Sequence, residues 1–136
     1  MSRLLVIVTL SVTALGCNDS GPFKYVPVEG QVTFEDGSLI PAKGMMLQFA
    51  SMDVEPRDGM YPRPATASLD NEGRFNLATS YKYGDGLVPG RHKVAIGYAT
   101  DEKGNLLIPK SCTSLSSTPL VADTNELPIL IKVPKP

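Results

Sequence analysis

The sequence predicts an all-β fold, a single small two-layer antiparallel β-sandwich of about seven short strands. Three observations carry that expectation. Apolar and polar residues alternate with period two in segment after segment, and no stretch sustains a helical period. Turn formers punctuate those segments, with 12 Gly and 12 Pro spread along the chain. The 136 residues, 42% hydrophobic and 20% charged, suit one domain with its own core and are too apolar for a disordered chain.

The strands are read in order from Val28, where the domain spanning residues 28–136 is expected to begin. Val28, Val32 and Phe34 share one face, opposite Gln31, Thr33 and Glu35, and Asp36-Gly37 marks a turn. Met45, Leu47 and Phe49 alternate with Met46 and Gln48. Ala65, Ala67 and Leu69 run into Asp70-Asn71-Glu72-Gly73, a hairpin signal, and the returning strand carries Phe75 and Leu77. After Pro89-Gly90, the run from Arg91 to Ala99 places Val94 and Ile96 inward. His92 shares their parity and is expected inward or at the sheet edge. A second hairpin signal, Asp101-Glu102-Lys103-Gly104, leads to Leu106 and Ile108. The last strand holds Ile129, Ile131 and Val133, and Pro134 stops it.

Ahead of the domain, Met1 to Arg3 is short and basic, and Leu4 to Gly16 is a charge-free apolar run. A bilayer span needs about 20 apolar residues, so this run is too short to cross and suits the core of a signal peptide over residues 1–16. The run ends Thr13-Ala14-Leu15-Gly16-Cys17, which resembles the lipobox of bacterial lipoproteins. That resemblance implies cleavage between Gly16 and Cys17 and acylation of Cys17, including a palmitate-type chain. The competing reading is a plain secretory signal with a coincidental cysteine. Each buried CH₂ contributes about 0.8 kcal/mol, so two or three acyl chains hold a protein stably where one does not. Residues 17–27 then form the lipidated cysteine and a polar tether. Ten extended residues reach about 33–36 Å, which keeps the domain near the membrane.

Three segments recur in a fixed order: Gly30-Gln31-Val32-Thr33-Phe34, Asp70-Asn71-Glu72-Gly73-Arg74-Phe75, and Pro89-Gly90-Arg91-His92-Lys93-Val94. They resemble the first strand, the D-x-x-G-x-F hairpin and the P-G-x-Y-x-V strand of carboxypeptidase regulatory-like, transthyretin-like (prealbumin-like) domains. The resemblance covers Val28 to Val133 and departs at His92, where those domains usually carry Tyr or another aromatic. It implies a non-catalytic domain; the carboxypeptidases that carry such domains keep their catalytic residues elsewhere.

The residues themselves offer little chemistry. The chain has one His and two Cys. With Cys17 acylated, Cys112 is far from a C-x-x-C arrangement, and no metal or cofactor is expected. Asp53, Glu55 and Asp58 lack the spacing of a calcium loop. No G-x-S-x-G motif is present, and a purine-pathway hydrolase of the transthyretin-like kind needs several His where this chain has one. A formal charge of −1 gives no attraction to nucleic acid. Cys112 reads either as a half-buried free thiol or as half of an intermolecular disulfide.

Binding, if any, falls to loops. The excursion from Met52 to Pro64 carries Met60 and Tyr61, and the stretch from Ser80 to Pro89 carries Tyr81 and Tyr83. Exposed Tyr rings stack on sugars or anchor protein partners. The expected role is a non-catalytic, membrane-tethered binding or structural module of the bacterial cell envelope, facing the periplasm or the exterior. A carbohydrate-binding or transport-accessory lipoprotein is the alternative, and a hydrolase a distant third. Envelope proteins and glycans are the partner classes this reading allows.

Overall fold

Alternating apolar residues give each strand one face that water rejects, and a sheet buries that face against a second sheet. The computed structural model describes residues 23–136. The expected signal peptide, the Gly16–Cys17 cleavage site and the lipidated Cys17 therefore lie outside the described residues. Within them, the strands are β1 (Gly30–Phe34), β2 (Met46–Ser51), β3 (Ala65–Ser68), β4 (Arg74–Phe75), β5 (Arg91–Gly97), β6 (Val121–Asp123) and β7 (Ile129–Val133). One sheet has the order β4-β1-β7 and the other β3-β2-β5-β6. The sequence-based expectation of a small all-β sandwich of about seven strands describes this architecture.

The core lies between the sheets. Leu47 and Phe49 of β2 and Val94 and Ile96 of β5 are fully buried, as are Val32 of β1 and Val133 of β7. Phe49 of the four-stranded sheet meets Phe75 of the three-stranded sheet with ring centroids 6.0 Å apart. Burying a side chain of this size contributes about 1.5–3 kcal/mol, so this central layer carries much of the stability.

The structure departs from the sequence reading in four places. The expected antiparallel pairing holds throughout the four-stranded sheet, but β1 and β7 pair in parallel, from Gly30 beside Ile129 to Phe34 beside Val133. A parallel pair needs a long crossover, and here nearly the whole domain lies between the two strands. The Asp70–Gly73 turn forms, but it is no hairpin. The strands it joins belong to different sheets, β3 pairing with β2 and β4 with β1.

The Asp101–Gly104 turn also closes, with the Gly104 amide donating to the Asp101 carbonyl at 3.0 Å. Only the single Thr100–Leu106 bridge follows, Leu106 stays exposed, and the expected strand through Ile108 does not propagate. The seventh strand is instead β6, in a stretch read as a Ser- and Thr-rich connection. Finally, the segment read as tether packs onto the domain from Phe23 onward: Phe23 is buried, and Val26 pairs with Leu87.

Candidate functional site

The residues singled out for binding sit on two structured loops at one end of the four-stranded sheet. The first follows β2. Its Asp58 and Gly59 both have positive φ, at 50° and 75°, and Arg57 and Met60 exchange backbone hydrogen bonds of 2.9 and 2.8 Å. This is a two-residue turn of the kind an Asp-Gly pair favours. It presents Met60, 51% exposed, and Tyr61, 74% exposed. The base of the loop is fixed by Asp53, whose carboxylate accepts the Arg91 backbone amide at 2.8 Å and the guanidinium Nη2 at 2.9 Å. Those hydrogen bonds hold the Asp53 carboxyl below its ordinary pKa. Asp53 is thus committed to Arg91, and no cluster of three or more His, Cys, Asp or Glu among the described residues could hold a metal.

The second loop precedes β5. The Asp85 carboxylate accepts three consecutive backbone amides, from Ser80 at 2.8 Å, Tyr81 at 3.0 Å and Lys82 at 2.8 Å. Thr79 Oγ1 accepts the Gly84 amide at 3.0 Å. The incoming chain is stitched to this loop, the Val26 amide donating to the Leu87 carbonyl at 2.8 Å and the Leu87 amide to the Val26 carbonyl at 3.0 Å. The stitch requires glycine at position 86. Its φ is 100°, and a Cβ there would lie 1.8 Å from the Val26 carbonyl oxygen.

This stitch brings together residues that stand far apart in the sequence. Met60, Tyr61 and Tyr81 line one cleft of about 250 Å³ with Phe23, Tyr25 and Arg63. The Arg63 guanidinium lies 5.2 Å from the Tyr81 ring centroid, and that of Arg57 lies 5.8 Å from the Phe23 centroid. Burial raises the Tyr25 phenol pKa, with the Asp85 carboxylate adding to the rise and Arg63 opposing it. Tyr83, the fourth candidate, is not part of this cleft. It is 86% exposed and lines a separate groove of about 380 Å³ with Thr66, Ser68, Asn76 and Thr79.

Phe23, Tyr25 and Arg63 were missed by sequence reasoning because the first two fall in the expected tether. The Phe23-x-Tyr25 alternation just ahead of Val26 is the signal that could have found them. The Asp58-Gly59 pair is the corresponding signal for the turn that raises Met60 and Tyr61.

Elsewhere, reactive side chains are withdrawn. His92 is 2% exposed, as its parity predicts, edge-on to Phe49 at 6.3 Å, with Nδ1 3.2 Å from the Gly90 carbonyl oxygen. Burial lowers its pKa, despite the Gly90 carbonyl and the Asp53 and Asp123 carboxylates acting the other way. Cys112 sits on a 3₁₀ turn over Lys110–Thr113 and is fully buried as a free thiol. Burial raises its pKa, and an intermolecular disulfide would first have to bring the sulfur to the surface.

A further depression of about 640 Å³ is lined by residues that include Gln31, Asp70, Arg74, Asn76 and Leu130. Its Asp70 carboxylate already accepts the amides of Glu72 and Arg74 at 2.8 and 2.9 Å. No family model matches the chain, and no curated protein or solved structure matches it.

Proposed function

We propose that this chain is a non-catalytic binding module of the bacterial cell envelope, held at a membrane by acyl chains on Cys17. The observation that carries the reading is the convergence of Met60, Tyr61 and Tyr81 beside Phe23 and Tyr25. The exposed aromatic and thioether groups gather at the point where the chain from Cys17 joins the domain. His92 and Cys112 are both buried in the interior and do not line this cleft.

Metabolic labelling with a fatty-acid analogue tests the anchor. The full chain should incorporate label and sediment with membranes, and Cys17→Ser should abolish both. Unlabelled wild-type protein in the soluble fraction would overturn the reading.

A second reading, carbohydrate binding, is favoured by the Tyr83 groove. An exposed ring beside the hydroxyls of Thr66 and Ser68 and the amide of Asn76 is the combination that stacks on and hydrogen-bonds a sugar. Binding to peptidoglycan fragments or arrayed glycans, lost in Tyr83→Ala, is its expected signature. Unchanged binding in that variant removes the groove from consideration.

A further inference from the structure

We propose that the Tyr81 cleft is the face this domain lays against the bilayer, with Met60 and Tyr61 seated among the lipid headgroups. The inference deepens the anchoring reading and rests on it.

Reach comes first. Five residues lie between Cys17 and Phe23, and the six Cα-to-Cα steps span at most about 20–22 Å when extended. Phe23 itself lines the cleft. An anchor at Cys17 therefore keeps the cleft within that distance of the acyl chains. The Val26–Leu87 stitch adds direction, because it fixes the incoming chain against the loop that carries Tyr81. The first described residue, Phe23, is thereby held beside the cleft.

Composition agrees with that placement. Tyr rings with an apolar body and polar tip favour the membrane–water boundary, and Arg spreads an apolar stem beneath a charged head. Met60 and Tyr61 stand exposed on a two-residue turn whose geometry is closed by two backbone hydrogen bonds. The cation positions argue against a sugar here. Arg63 already lies over the Tyr81 ring and Arg57 over the Phe23 ring, so guanidinium groups occupy ring faces that a pyranose would use. Those same guanidinium groups are suited to headgroup phosphates.

The segments forming the cleft carry Lys24, Arg57, Arg63 and Lys82 against Asp53, Glu55, Asp58 and Asp85. With the signs balanced, seating depends on the aromatic and thioether groups rather than on net charge, and added salt should barely weaken it.

The absence of Trp from the chain makes the test direct. The acylated full-length protein is reconstituted into phosphatidylethanolamine–phosphatidylglycerol vesicles containing brominated acyl chains. Tyr61→Trp reports from the cleft. Tyr98→Trp reports from the far end of the same sheet, because Gly97 pairs with Met46 at the start of β2, whereas the Tyr61 loop follows Ser51 at its end. The indole at position 61 should be blue-shifted and quenched by the brominated lipid, also at high ionic strength, while that at position 98 stays in water and unquenched.

Vesicles that float with the protein but leave both indoles unquenched overturn the seating and leave the anchor standing. A chain that neither floats nor carries acyl mass overturns both. Hydrogen exchange on the unsubstituted chain gives the same answer without Trp. Residues 57–63 should be protected on vesicles relative to the Cys17→Ser chain, and equal exchange in the two overturns the seating.

Discussion

Tyr81 and Tyr83 stand two positions apart on one loop and face different worlds. Tyr81 lies under the Arg63 guanidinium in a cleft of aromatic and thioether groups. Tyr83 projects almost wholly into water beside threonine, serine and asparagine side chains. Residue type, loop and neighbourhood in sequence are the same for both. The difference comes from what the loop is tied to: Asp85 fixes its backbone through three amides, and the Leu87–Val26 pairing brings Phe23 and Tyr25 to one side only. Two clefts of different lining thus arise beside one short connection, and only one of them adjoins the incoming chain.

The comparison breaks most severely at Gly86. In Gly86→Ala the new methyl meets the Val26 carbonyl oxygen at a left-handed φ, so the stitch must open. We expect a loss of roughly 2–4 kcal/mol in urea unfolding, with the Tyr81 cleft dispersed. Asp85→Ala strikes both tyrosines together, because three amides lose their acceptor at once. A loss of about 1–3 kcal/mol is expected by thermal or chemical denaturation, and unchanged stability would mean that water replaces the carboxylate without cost.

Arg63→Ala acts on one side alone. It removes a partly exposed cation–π contact worth about 0.5–1 kcal/mol, and it also removes the positive charge that favours the Tyr25 phenolate. The Tyr25 pKa should therefore rise further above its ordinary value in an ultraviolet titration, with the Tyr83 groove unaffected. Tyr83→Ala should be the mildest, within about 0.5 kcal/mol of wild type, because its ring has little to lose on unfolding.

Much of the architecture was legible because alternation is a local property. Leu47, Phe49, Val94, Ile96, Ile131 and Val133 were placed inward by parity alone, and all are buried. Parity names the face of a strand but not its neighbour, so the parallel pairing of β1 with β7 had no sequence signal. The same limit explains the Asp70–Gly73 corner, whose turn chemistry is that of a hairpin although the chain crosses between sheets. Strand β6 escaped notice because only Ala122 of its three residues is buried, and the buried residues flanking it, Leu120 and Thr124, include a polar one, so the alternation is faint. At the site, exposure of Met60, Tyr61, Tyr81 and Tyr83 could be anticipated from loop placement. Their division into two clefts could not, since it depends on where residues 23–26 dock.

The parallel alignment of β1 and β7 has a mechanical consequence. The chain enters the pair at Gly30 beside Ile129 and leaves it at Val133 beside Phe34, so the two points of attachment lie at opposite ends of one ladder. Tension drawn between them loads the rungs in shear, all together, instead of peeling them apart one at a time. A domain held at its first strand and gripped beyond its last would resist pulling along the very seam that closes it.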